Sequence, residues 1–246
     1  MLRQPNILAE LDDRERGAFL GRCRREIFDS GETVFSQGAP HVGTYVICSG
    51  LIRTYYISPL GKEITLAFWS DGDWIGGPDF FGESPNHIWS AQAVERSSTL
   101  LIAGSDLRRL AREIPAVGLA VIGALTFKLH WVSLLLQTLA TESVSERLAH
   151  LLVMLGDTYG EPYQRGMRIR YPFSQEDIAA MVGASRQWVN MAISRLQKAG
   201  VVRTDKRHLV IVDPDKLRAT LRADSAQPLD LTRFMLERRL TKRSVA

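Results

Sequence analysis

The stretch "SQEDIAAMVGASRQWVNMAISRLQKAGVV", residues 174–202, limits this chain more than any other. Ile178, Val182, Val189 and Ile193 recur at helical spacing on either side of Gly183-Ala184. Glycine enters the left-handed backbone region without steric penalty, so Gly183 is where the first helix ends. Ser174 opens an S-x-x-D capping pattern with Asp177, and Ser185 is placed to cap the second helix. Ala179 is small where the second helix passes close. Two short helices crossing steeply over a small apolar core predict a helix-turn-helix.

That core leaves Arg186, Gln187 and Asn190 exposed at the start of the second helix. These side chains can bond base edges in a major groove: Arg suits guanine O6 and N7, and Asn or Gln suits adenine N6 and N7. Downstream, "VVRTDKRHLVIV" predicts two strands around Asp205-Lys206-Arg207-His208, a wing with a basic tip where phosphates would lie. The expected DNA-contacting set is Ser174, Gln175, Ser185, Arg186, Gln187, Trp188 and Asn190, with Lys206 and Arg207. Charge agrees. Residues 141–246 hold 18 Lys and Arg against 12 Asp and Glu, whereas the first 140 hold 13 against 15. Only the C-terminal part is suited to a polyanion.

Residues 31–104 read differently. "TVFSQG", "TYVICSG", "LIRTYYIS", "EITLAFWS" and "STLLIAG" are apolar or alternating, and Gly31, Gly38, Gly50, Gly61 and Gly72 punctuate them. Turn signals at this spacing predict an antiparallel sandwich or barrel. "LAELDDRERGAFLGRC" before it has helical spacing, and "SDLRRLAREIP" after it predicts a short capped helix. From Pro115 to Ala140 a seam of Val121, Leu125, Leu129, Val132, Leu136 and Leu139 marks a long helix. One face of it can pack on the β-domain, and a second copy of the same helix is the simplest cover for the seam. Its length would suit a bilayer, but Lys128 and His130 near its middle argue against a membrane span. "SERLAHLLVMLGDTYG" predicts another amphipathic helix ending at Gly156 or Gly160.

The expected division is therefore a β-domain over 1–114, a central helix over 115–140, a DNA-binding domain over 141–221 and a basic tail over 222–246. Cys23 and Cys48 fit no metal or disulfide framework. The charged start "MLRQPNILAELDDRERGAF" lacks the apolar core of a secretory signal, and a cytoplasmic location is the expectation.

In this order the segments resemble the Crp/Fnr (catabolite activator / fumarate–nitrate regulator) family of bacterial transcription factors. The resemblance spans roughly residues 10–218. It rests on "SGETVFSQG", "TYVICSG", "GKEITLAFWSDGDWIG", "AVERSSTLLI" and, most specifically, "FSQEDIAAMVGASRQWVNMAISRLQKAGVV". It implies an α+β chain: an N-terminal antiparallel β-roll like those that bind cyclic nucleotides, a long central dimerisation helix, and a C-terminal winged helix-turn-helix. It also implies a homodimer on a palindrome of double-stranded DNA, RNA polymerase as a partner, and an effector in the β-roll. Arg186 matches the family's guanine-reading arginine. Gln187 stands where many members have Glu, Trp188 where the residue is usually small, and Met191 where Arg is frequent.

The effector region departs from the family pattern. Cyclic-nucleotide binders carry Gly-Glu for ribose and then Arg-Ser or Arg-Thr for phosphate. Here Gly77 takes the Glu position, and His87-Ile88 or Trp89-Ser90 takes the Arg-Ser position. Glu83 would supply the acid in a shifted register, but the cassette holds no Arg. Val132-Ser133 stands where cyclic-AMP sensors have a polar pair. An unpaired buried phosphate costs several kcal/mol, so cyclic AMP is not the expected effector. An iron–sulfur centre is not expected with only Cys23 near the N-terminus, nor haem with only the separate His41, His87 and His130. The expected pocket, if an effector binds at all, combines Trp74, Gly76, Gly77, Phe80, Phe81, His87, Trp89 and Ser90 with Val132 and Ser133; Trp69 adds to these aromatics. An aromatic or apolar ligand suits it. No metal site or catalytic set is expected: a cupin-type enzyme would need His-x-His on one strand. A regulatory subunit that binds a nucleotide but not DNA is the alternative.

Overall fold

The computed structural model describes residues 6–222, apart from 62, 77–79, 82–84 and 165. Gly77, Glu83 and the tail beyond residue 222 therefore lie outside the described residues. The described residues divide into two compact units, one up to residue 136 and one from residue 137.

The first unit opens with α1 (Ile7–Glu10) and α2 (Asp13–Leu20). The expected single helix is two because Asp12 takes extended backbone and caps α2 in a capping box with Glu15. Eight strands follow: β1 (Cys23–Phe28), β2 (Thr33–Phe35), β3 (Thr44–Ser49), β4 (Ile52–Ile57), β5 (Glu63–Trp69), β6 (Trp74–Ile75), β7 (Ser90–Ala93) and β8 (Ser97–Ile102). They form two four-stranded antiparallel sheets, ordered β1-β8-β3-β6 and β2-β7-β4-β5. Strand alternation distributes the core. Tyr45, Ile47 and Leu101 point into the apolar layer they share with Phe35, Ile52 and Trp69. Their neighbours Val46, Leu100 and Ile102 pack on the opposite face against Phe19, Leu107 and Leu110. A sheet covered on both faces explains why "TYVI" and "LLI" read as apolar runs. Gly50, at φ +103°, turns the chain between β3 and β4, where a Cβ would meet Ser97 Oγ at 2.4 Å.

α3 (Gly104–Glu113) begins without a side-chain cap, because Ser105 falls inside its first turn and Ala103 holds the cap position. α4 (Pro115–Thr141) is continuous over 27 residues. Val117, Ala120, Val121 and Ala124 are buried in the helix-side core of the β-roll. One turn on, Phe127 meets Trp69 edge-on, Lys128 Nζ lies 3.9 Å over the Trp69 ring, and Trp131 Nε1 donates to Leu66 O. Burial brings the Lys128 amine down to about 8, with Asp73 opposing the shift. α4 is long and apolar enough to cross a bilayer by composition alone, yet this flank of it is packed on the β-roll.

In the second unit come α5 (Val144–Tyr159), β9 (Gly160–Tyr163), β10 (Gly166–Ile169), α6 (Gln175–Val182), α7 (Arg186–Lys198), β11 (Val202–Asp205), β12 (His208–Ile211) and α8 (Pro214–Arg222). Its sheet runs β11-β12-β10-β9. The core joins Leu148, Leu152 and Leu155 of α5 to Ile178, Val189, Ile193 and Leu217, all under 5 % exposed.

Candidate nucleic-acid interface and effector region

α6 and α7 are held by local chemistry that starts in the sequence. Ser174 and Asp177 form a reciprocal capping box at the start of α6. Gly183 caps its end in the left-handed region, at φ +69°. Arg147 braces that end, donating through Nε to Val182 O at 2.8 Å and through a terminal nitrogen to Glu142 O at 2.9 Å. Ser185 caps α7 by accepting from Trp188 N. With Val189 and Ile193 buried on one side, helical periodicity turns Arg186, Gln187, Asn190 and Met191 outward, and all four are exposed. Trp188 is only partly buried and sits on the flank of that face. The basic residues Arg195 and Lys198 extend it along the helix.

The wing closes beside it. β11 and β12 pair through Asp205 and His208, leaving Lys206 and Arg207 as a two-residue turn with φ +45° and +76°. Both side chains are exposed. Gln197 Nε2 donates to Thr204 Oγ1 at 2.9 Å, which ties α7 to β11. A shallow groove between helices and wing is lined by Gln175, Asn190, Ser194, Gln197, Thr204 and Arg207. Inside the same groove Gln175 Nε2 donates to Asn190 Oδ1 at 3.2 Å. Eight of the nine residues expected at DNA therefore lie on the two helix starts and the wing tip, with Trp188 at their margin.

The effector residues are not brought together in this way. Trp74 is fully buried and packs on Phe19 and Phe80 in the helix-side core. Trp89 packs on the core between the sheets, and His87 stacks on Phe35 of that core at 4.0 Å. Phe81 is half-buried under Arg108, whose guanidinium carbon lies 5.8 Å from the ring centre. Ser90 accepts from Gln37 N. Val132 and Ser133 are exposed on α4. The single aromatic pocket expected from sequence is thus not assembled among the described residues: Trp74 and Phe80 lie in the helix-side core, His87 and Trp89 pack against the core between the sheets, and Val132 and Ser133 stand exposed on α4.

His87 has its own chemistry. Its side chain is 2 % exposed, and Nδ1 donates to Gly76 O at 2.8 Å, which fixes the tautomer and leaves Nε2 bare. Nε2 has no hydrogen-bond partner among the described residues, nor do the two ring nitrogens of His41, whose ring centre lies 4.6 Å away. Burial, reinforced by His41, pushes the His87 imidazole down to about 4 against the pull of Gly76 O. An imidazole held neutral by burial does not offer the fixed positive charge of an arginine. Burial likewise drives the Cys23 thiol up to about 12, so it is not a reactive thiolate. No group of three or more metal-binding side chains exists among the described residues.

The central seam also changes phase. Val121 is 3 % exposed inside its own β-roll, whereas Ile122 is 60 % exposed. The exposed apolar row is Ile122, Leu125, Leu129, Val132, Leu136 and Leu139, spaced 3-4-3-4-3. Val121 is corrected out of the seam because 3.6 residues per turn let two overlapping faces compete there, and small Ala120 and Ala124 draw Val121 into the core.

A β-roll followed by a winged helix-turn-helix with an outward polar reading face defines a DNA-binding transcription regulator. Comparison with known proteins agrees. A Crp-like helix-turn-helix domain matches residues 146–220 and a cyclic nucleotide-binding domain matches residues 25–113. The CRP-like cAMP-activated global transcriptional regulator of Mycobacterium tuberculosis is 27 % identical over 190 residues, 77 % of this chain and 84 % of that one. A CooA variant from Carboxydothermus hydrogenoformans shares the fold at a TM-score of 0.76, with 23 % identity over 90 % of this chain and 98 % of that one. The c-di-GMP responsive regulator CLP of Xanthomonas campestris shares it at 0.72, with 20 % identity over 81 % and 99 %. The chain belongs to the Crp/Fnr family.

Proposed function

We propose that the protein works as a homodimer that reads a palindromic DNA site with two copies of α7, under control of an effector other than cyclic AMP. The observation that carries this reading is the exposed polar start of α7 next to a basic wing: Asn190 and Arg207 line one groove, and Arg186, Gln187 and Lys206 are exposed on the same two elements. Arg186 addresses a guanine, Gln187 and Asn190 address neighbouring base edges, and the wing cations address phosphates. RNA polymerase is the expected protein partner, and the cytoplasm the expected site of action.

The dimer is supported by the exposed row on α4. Six exposed apolar side chains spaced 3-4-3-4-3 suit a two-stranded coiled coil and lie open among the described residues. In sedimentation velocity the wild type is expected to run as a dimer. Leu129→Glu, which places two carboxylates in that seam, is expected to weaken the dimer by at least about a hundredfold. A Leu129→Glu protein that stays dimeric would remove α4 from the interface.

Against cyclic AMP stands the cassette itself, where His87-Ile88 or Trp89-Ser90 takes the place of the family's Arg-Ser and His87 is held neutral and committed to Gly76 O. Relatives with this fold carry different ligands in their names, cAMP for one and c-di-GMP for another, so the fold leaves the effector open. Cyclic AMP at millimolar concentration is expected to change affinity for a selected duplex by less than about threefold. A tenfold tightening would overturn this part of the proposal.

A further inference from the structure

The bond between Gln175 and Asn190 joins two side chains that sequence reading treats as independent DNA contacts. We propose that Gln175 is a positioning residue that sets which base edge Asn190 accepts. This rests on the reading of α7 as the recognition helix. The geometry is specific. Gln175 is the first residue of α6, held there by the Ser174–Asp177 capping box. Asn190 lies just over one turn into α7, beside buried Val189 and Ile193, which fix its backbone. The side chain of Gln175 spans the helix crossing and donates to Asn190 Oδ1 at 3.2 Å.

A free asparagine carboxamide shows the groove either its oxygen or its amino group, because the two orientations differ only by rotation about one bond. Adenine exploits both ends at once, through N6 and N7. Donation from Gln175 pins Oδ1 toward α6, so Nδ2 with its two hydrogens is the end left facing outward. Two donors complement an edge of acceptors, such as N7 and O6 of guanine, and oppose the amino group of cytosine. Gln175 thus selects an acceptor edge at the position that Asn190 meets, without reading a base itself.

The test uses the full chain and duplexes derived from the site that the wild type selects from a randomised pool. All four base pairs are placed in turn at each half-site position, and Kd is read by fluorescence anisotropy. The wild type is expected to discriminate about tenfold at the Asn190 position, the scale of one good base contact. Gln175→Ala is expected to reduce that to about twofold while preserving the guanine preference that depends on Arg186. Asn190→Ala should flatten the same position, and the double variant should flatten it no further. Gln175→Glu cannot donate to Oδ1, so Asn190 turns its oxygen outward and the preference shifts toward bases that offer an amino group.

If Gln175→Ala weakens every duplex by one common factor, Gln175 is a backbone contact and the inference is overturned. It is equally overturned if the preference at that position is unchanged, or if Gln175 and Asn190 affect different positions. A thermal melt of each variant separates these outcomes from a folding defect. Should the wild type show no base preference that Arg186→Ala alters, the recognition-helix reading fails first and this inference falls with it.

Discussion

The tip of the wing carries a conflict between stability and binding that a double substitution can separate. A two-residue hairpin turn with positive φ at both positions favours Asn-Gly, yet the chain places Lys206 and Arg207 there, at φ +45° and +76°. A side chain with a Cβ costs roughly 1–2 kcal/mol in the left-handed region, and less for Asn. In Lys206→Asn/Arg207→Gly, relief of about 1.5–2 kcal/mol is partly offset by about 0.5–1 kcal/mol for the extra freedom of glycine in the unfolded chain. The net gain is about 1 kcal/mol. For a DNA-binding unit of this size the melting midpoint should rise by roughly 4–8 °C. The same change removes two cations per protomer. Each lost phosphate contact lowers the slope of log K against log salt by about 0.9. Calorimetry and anisotropy over a salt series therefore give opposite answers: a more stable protein that binds DNA more weakly and with less salt dependence. A midpoint that stays level or falls would refute the strain argument. A raised midpoint with unchanged affinity and slope would show that the wing does not meet phosphates.

Other perturbations address the rest of the fold. Ile193→Ala empties a site 4 % exposed between α6 and α7; it should cost about 3 kcal/mol and lower the midpoint of that unit by more than about 10 °C. His87 makes the β-roll acid-sensitive. The fold holds its imidazole neutral, at about 4 against 6.5 for the free group. Its contribution is therefore complete above pH 6.5 and is lost as pH falls toward 4, by about 2–3 kcal/mol. Urea titrations between pH 7 and 4 should show that loss, and His87→Phe should reduce it. An equal acid slope in the variant would assign the loss to other groups.

The helix-turn-helix was legible because its signals are local. Ser174, Gly183 and Ser185 each fix a boundary within a few residues, and four apolar positions supply the core. The β-roll was legible for a similar reason, since glycine turns and apolar runs repeat along it. What the sequence concealed depends on partners distant in the chain. β9 and β10 carry Pro162 and Gly166 and show no alternation, and they are strands because β12 and each other complete their ladders. The phase of α4 turned on a choice between Val121 and Ile122 that only the shape of the β-roll core decides. The aromatic cassette read as one pocket because adjacent residues look like neighbours in sequence, whereas the fold sends Trp74, on β6, and Trp89, in the loop before β7, to different cores. The bond between Gln175 and Asn190 carries no sequence signal, as it joins residues 15 apart across a helix crossing.

Sequence-specific reading of DNA by α7 is the central claim, and one measurement meets it directly. A labelled duplex selected by the wild type from a randomised pool is titrated by anisotropy against a scrambled duplex of equal composition, with wild type and with Arg186→Ala. The wild type should prefer the selected duplex by about a thousandfold or more. Arg186→Ala should lose about 1–3 kcal/mol of that preference, concentrated at a guanine, with its affinity for the scrambled duplex much less affected. Equal binding of both duplexes by the wild type, or a variant that discriminates as well as the wild type, would contradict the account.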